Sequence, residues 1–316
     1  MLKHFADWLT YDVFSLVPKS LPAEAVNFFV YDTIKIFLLL SLIIFTVSFI
    51  RSFLPPERIR KILSGRNEYL GNVLAALFGI ITPFCSCSAI PLFLGFVEAG
   101  VPLGVTFSFL VSSPMVNEVA LILLLGLFGW RIALIYAFSG VVIAIVSGII
   151  IGRLKLEHLV EDFVYQVKVG QGLEPQSMSW SERAAYARGY TVDVLKRVWL
   201  YIIIGIGLGA WMHGYVPADF LARYAGRDKW YAVPLVTLIG IPLYSNAAGI
   251  VPLISVLTEK GISMGSALAF VMAVTGLSLP EFMILRKVMK VKLLAVFAGI
   301  VGLGIMFTGY LFNFIL

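Results

Sequence analysis

Residues 71–104 read GNVLAALFGIITPFCSCSAIPLFLGFVEAGVPLG, and residues 232–265 read AVPLVTLIGIPLYSNAAGIVPLISVLTEKGISMG. Each is an apolar stretch with a polar cluster at its middle: TPFCSCSAIP (82–91) in the first, IPLYSNAAG (241–249) in the second. Pro91 matches Pro252, Glu98 matches Glu259, Gly100 matches Gly261 and Gly104 matches Gly265, every pair 161 residues apart (252 − 91). A slip of two residues then pairs Glu118 with Glu281. Identities at one constant spacing point to an internal repeat.

The surrounding chain sets the class. It has 316 residues, 60% hydrophobic and 13% charged, with a mean hydropathy of +0.95. Soluble domains carry about a quarter charged residues. Ile36–Ile50, Val119–Phe128, Ile132–Ile151, Leu200–Trp211 and Leu293–Leu316 hold no charge. With their flanks, several reach the roughly 20 residues a helix needs to cross a bilayer. The expected fold is an all-α integral membrane protein. The net charge of +6 reads as Lys and Arg gathered in cytoplasmic loops, not as a nucleic-acid surface. No phosphate-binding loop and no paired-His motif occurs, which argues against a one-chain ATP-driven pump. Two cysteines make no disulfide scaffold. No enzyme chemistry, cofactor or metal is expected. The expected partners are a small molecule or ion and the lipid bilayer, with a homo-oligomer left open.

Four segments follow. Residues 1–28 read as a tail or an interfacial helix with Trp8, Leu9, Val13, Phe14 and Leu16 on its apolar side. Residues 29–152 form a first transmembrane repeat, 153–193 a polar cytoplasmic linker, and 194–316 a second repeat. The first repeat reads as a span at 30–50, a basic loop at 51–67, a broken stretch at 70–98, and spans at 102–126 and 130–152. The second reads as a span at 194–216, a broken stretch at 230–258, a span at 262–285 and a last span. That makes about eight transmembrane segments, or six full spans plus two broken re-entrant hairpins. With Arg286, Lys287, Lys290 and Lys292 inside, the two repeats enter the membrane from opposite sides. Inverted repeats are a common transporter design, with the site between the halves.

The polar clusters are the candidate site. Pro83 and Pro91 disfavour one continuous helix, as do Pro242 and Pro252. Irregular backbone at membrane depth is tolerated where protein or a watery cavity surrounds it. Two half-helices meeting near Thr82, Cys85, Ser86, Cys87 and Ser88 are the expected shape. Ser86 or Ser88 would serve as N-cap, and the helix N-terminus would lower a nearby thiol pKa. Extended backbone would turn Cys85 and Cys87 to one side, where paired thiolates suit soft ions. Tyr244, Ser245 and Asn246 occupy the matching break without sulfur. SSPMVNE (112–118) and TGLSLPE (275–281) set Pro114 and Pro280 beside Ser112, Ser113, Asn117 and Glu118, and beside Ser278 and Glu281. A carboxylate inside a span is a functional candidate by default, more so for Glu118 than for Glu281, which Arg286 follows closely. Glu98 and Glu259 read as surface groups, and Met115, Met272 and Met283 as core filling.

At these motifs the chain closely resembles the ArsP-type family of predicted permeases, which includes the organoarsenical efflux permeases. The matching stretches are GIITPFCSCSAIPLFLGFVEAGVPLGVTFSFLVSSPMVNE, GIPLYSNAAGIVPL and LSLPE. The resemblance implies a multi-pass inner-membrane permease, with Cys85 and Cys87 at the family's cysteine-motif positions. The expected activity is export of a small soft or thiol-reactive solute, such as a trivalent organoarsenical. The alternatives are transport of a sulfur-containing anion, or a membrane thiol-disulfide redox enzyme.

Overall fold

The structure is a computed structural model that describes residues 2–18, 20–53, 68–82, 86–161, 179–215, 226, 229–243 and 247–315. These residues form helices and no strands. In lipid every backbone polar group must find an internal partner, and a helix does this within one segment. The helices are α1 (Leu2–Asp7), α2 (Leu21–Arg51), α3 (Glu68–Ile81), α4 (Ser86–Glu98), α5 (Leu103–Met115), α6 (Glu118–Arg153), α7 (Trp180–Tyr215), α8 (Ala232–Gly240), α9 (Ala247–Glu259), α10 (Met264–Gly276), α11 (Leu279–Leu285) and α12 (Val291–Ile315). Four stretches of the described residues are long and apolar enough to cross a bilayer: Leu21–Thr46, Glu118–Arg153, Met264–Leu285 and Val291–Ile315. The chain is therefore a multi-pass membrane protein.

Several boundaries differ from the sequence expectation. The N-terminal α1 is followed by a π-helical turn, Trp8–Val13. This arm is tied to α2, because Asn27 Nδ2 donates to Asp7 Oδ1 at 2.8 Å. Helix α2 begins at Leu21 rather than near residue 30. Helix α7 begins at Trp180, inside the stretch read as linker. Its start has a local cause: Ser179 N and Oγ both donate to Glu182 Oε2, at 2.7 and 2.9 Å, a capping box. Those bonds hold the Glu182 carboxyl below the usual carboxylate value. Pro91 and Pro252 were expected to break helices, yet α4 runs through Pro91 and α9 through Pro252. A proline removes one backbone bond, and in a membrane bundle the neighbouring helices hold the rest of the turn in place.

Helix α5 is buried on every side, all of Leu103–Met115, and α10 is buried from Gly265 to Gly276. A helix apolar all round belongs at the centre of a bundle. Around α5 pack α3, α4 and α6; around α10 pack α8, α9 and α12. Helix α5 also touches α10, α4 touches α11, and α6 touches α9. Helices α2 and α7 form a closely packed pair at the side. Arg183 of α7 donates to the Ser52 carbonyl at the end of α2, and its guanidinium lies 4.2 Å from the Phe53 ring centroid.

Small residues set the central crossings. A Cβ on Gly104 would lie 2.4 Å from Gly148 O, and a Cβ on Gly265 would lie 2.2 Å from Gly309 O. Small residues at such crossings let backbones approach closely in the membrane. Both residues of the second crossing stand 161 beyond those of the first (265 − 104 and 309 − 148). The helix bounds keep the same spacing: Ser86–Glu98 recurs as Ala247–Glu259, and Leu103–Met115 as Met264–Gly276.

The same spacing links two chain reversals at opposite ends of the bundle. Helix α6 turns sharply at Gly129, where φ is 80°, a conformation suited to glycine. Helix α12 starts 161 residues after Trp130, at Val291. The turn before it, 286–290, lies against 157–161, just past the end of α6: Glu161 N donates to Val288 O at 2.9 Å and Lys290 N to Leu159 O at 2.8 Å. Residues Trp130–Arg153 separate Gly129 from that end by about 36 Å at 1.5 Å per residue.

Candidate functional site

The site is built where two central helices stop. Helix α5 ends at Met115, Val116 leaves helical geometry (φ −117°, ψ 57°), and Asn117 is extended (φ −85°, ψ 156°). Helix α10 ends at Gly276, followed by Leu277 (φ −138°, ψ 32°) and Ser278 (φ −67°, ψ 146°). The two breaks thus have the same two-residue form. Pro114 sits in the last turn of α5, and Pro280 in the first turn of α11. Asn117 caps α6: its Oδ1 accepts from Ala120 N at 2.7 Å, and its Nδ2 donates to Pro114 O at 3.2 Å.

The breaks face each other. A Cβ on Gly276 would lie 2.9 Å from Met115 Cε and 3.9 Å from Met115 Cβ. Gly140 of α6 passes beneath Val116, so close that a Cβ there would lie 2.4 Å from Val116 Cγ2. Helices α3 and α5 run in the same sense, since Ser108 Oγ donates to Asn72 Oδ1 at 2.8 Å and Ser112 Oγ to Ala76 O at 2.6 Å. The end of α3 therefore arrives at the depth of the α5 break. Thr82 is buried there and donates to Gly79 O at 2.9 Å. In the second half, Leu279 N donates to Ile241 O at 2.9 Å, which ties the α10 break to the end of α8 and the turn holding Pro242.

Of the sequence-predicted residues, Thr82, Ser112, Ser113, Asn117, Glu118, Ser278 and Glu281 fall at or beside these ends. Pro83, Cys85, Tyr244, Ser245 and Asn246 lie outside the described residues. Ser86, Cys87 and Ser88 form the first turn of α4. Cys87 is thus helical, not extended.

The two carboxylates are placed differently from the sequence expectation. Breaks at equal spacing pair Asn117 with Ser278, so Glu118 corresponds to Leu279 and Glu281 to Ala120. Glu118 is exposed, whereas Glu281 is 0% exposed. Arg286 pairs not with Glu281 but with Glu161, at 3.3 Å. That pair is partly exposed and contributes little stability. Tyr136 was missed altogether: it is fully buried in α6, one turn before Gly140, and faces Thr275. Its signal was a phenol hydroxyl inside a charge-free run.

Comparison with known proteins finds membrane permeases and proteins of the UPF0718 group among the relatives. A Streptococcus mutans protein described as a subunit of a two-component membrane permease complex is 27% identical over 79% of this chain and 82% of its own length. The UPF0718 protein MJ0584 of Methanocaldococcus jannaschii is 22% identical over 80% of this chain and 84% of its own. The UPF0718 protein YcgR of Bacillus subtilis is 25% identical over 70% and 74%. No solved structure matches. The family model ArsP_1, predicted permease, matches residues 22–314, and the chain belongs to that family.

Proposed function

We propose that the chain is a secondary-type permease of the inner membrane, built from two inverted repeats that exchange access to a site between their broken helices. The observation that carries this reading is the pair of two-residue breaks, alike in backbone and 161 residues apart, that meet at Met115 and Gly276. The opposite placement of Gly129 and the 286–290 turn supports the inversion. The basic turn also lies beside the segment assigned to the cytoplasm, as the positive-inside rule prefers.

The halves are arranged unequally, which supports alternating access. Helix α7 covers α11, and α2 packs on α4. Among the described residues, α2 makes no comparable packing on α6 and α7 none on α9. Ile122 and Leu125 are accordingly more than half exposed, while Ile284 and Leu285 are buried. In an inverted-repeat carrier, the second state is reached when the halves trade arrangements.

The solute is a small soft or thiol-reactive molecule, such as a trivalent organoarsenical, and the direction is export. Cys85 and Cys87 supply the sulfur at the α3–α4 break. Thr82, Ser86, Ser88, Ser113, Tyr244, Ser245 and Asn246 would supply hydrogen bonds, and Glu118 or Glu281 would couple the cycle. The purified chain in liposomes should then carry methylarsonous acid faster than thiosulfate. Thiosulfate flux alone would assign the site to sulfur anions. Flux of either solute only after a second chain is added would make the protein one subunit of a carrier, the arrangement named for the Streptococcus mutans relative.

A further inference from the structure

We infer that Tyr136 and Ser278 are contact residues for an uncharged, hydroxyl-bearing solute held between the two broken helices; this rests on the permease reading above. Tyr136 is 0% and Ser278 1% exposed, and neither hydroxyl has a hydrogen-bond partner. Buried polar groups are almost always satisfied, and each exception needs a reason.

Local structure does not supply the reason. Ser278 is the N-cap of α11, a position where serine normally accepts from the first turn. Here it makes no capping bond, although Asn117 makes one in the matching break. Tyr136 Oη faces Thr275 without a hydrogen bond of normal geometry, while Thr275 Oγ1 donates its own proton to Val271 O at 2.9 Å. Thr275 and Ser278 are three residues apart across the break. One orphaned hydroxyl therefore comes from the first repeat and one from the second, at the place where the halves meet.

Charge decides the class of solute. Among the described residues the buried cationic side chain is Arg183, which is engaged with Ser52 at the end of α2. An anionic solute buried there would lack a countercharge from the described residues, which is costly, so the site suits a neutral molecule that accepts and donates hydrogen bonds. Methylarsonous acid, with two hydroxyls and no charge at neutral pH, is a probe of that class. Thiosulfate is the charged counterpart.

The test is ligand binding to detergent-solubilised protein, read from melting temperatures over a concentration series, independent of any flux. For Tyr136→Phe the unliganded melting temperature should stay equal or rise, since an unsatisfied hydroxyl is removed. The apparent Kd for methylarsonous acid should weaken by about three- to tenfold, the worth of one hydrogen bond. Ser278→Ala should do the same. An unchanged Kd, or a drop in the unliganded melting temperature, would overturn the assignment, the latter by showing that the hydroxyl serves the resting fold. Tighter binding of thiosulfate than of methylarsonous acid would overturn the uncharged class. Failure of flux in liposomes with these binding results intact would count against the permease reading alone.

Discussion

Gly148→Val is expected to leave almost no folded protein. A Cβ at this position would lie 2.0 Å from Ser108 Oγ, 2.4 Å from Gly104 O and 2.5 Å from Asn72 Oδ1. None of these atoms can step aside cheaply. Ser108 Oγ lies 2.8 Å from Asn72 Oδ1 and 3.1 Å from Ala144 O, and Gly104 O is backbone of the central helix. Overpacking a tight core costs about 1–3 kcal/mol, at times more. Each buried polar group stripped of its partner adds about 1–3 kcal/mol. A total near 5 kcal/mol is comparable to the whole stability of many proteins. The check is the yield of monodisperse protein on size-exclusion chromatography in detergent. Gly126→Val is the control: nothing lies within 4 Å of a Cβ there, and its yield should match the wild type.

The double substitution Cys85→Ser/Cys87→Ser should abolish methylarsonous acid flux, by on the order of a hundredfold, because a hydroxyl is a poor ligand for a soft centre that prefers thiolate. Yield and melting temperature should stay near wild type, since each change is nearly isosteric. Cys87 lies in the first turn of α4. Flux retained in the double variant would remove sulfur from the mechanism while leaving the carrier architecture standing. Each cysteine replaced alone separates a paired site from a single ligand.

The 161-residue spacing was legible because identical residues at Pro91/Pro252, Glu98/Glu259, Gly100/Gly261 and Gly104/Gly265 fix it, and the bounds of α4/α9 and α5/α10 keep it. The stretch expected as one span at 102–126 is interrupted at Val116–Asn117, and α6 runs from Glu118 across the turn at Gly129 to Arg153, covering the stretch expected at 130–152. The prolines misled. Pro91 and Pro252 look like breaks in sequence, but the helices run on through them; the expected half-helices meet where α3 ends at Ile81 and α4 begins at Ser86, and the central helices are interrupted as well, at Val116–Asn117 and Leu277–Ser278. Identity also misled at the carboxylates. Matching Glu118 to Glu281 required a slip of two residues, whereas backbone geometry keeps the original spacing. Periodicity could not assign Tyr136, because a tyrosine in an apolar run looks the same whether its hydroxyl is satisfied or orphaned. Only the packing of α6 under the two breaks distinguishes these cases.

The central claim is that solute passes between the two broken helices. Met115→Cys/Gly276→Cys tests it directly, since the Met115 Cβ lies 3.9 Å from a Cβ built on Gly276, within the range of a disulfide. Flux of methylarsonous acid is measured in liposomes before oxidation, after oxidation and after reduction, with oxidised wild type alongside and the 115–276 link confirmed by mass spectrometry. The account predicts that oxidation stops flux in the double variant, that reductant restores it, and that wild type keeps its rate. Full flux through the cross-linked protein would contradict a path between the breaks.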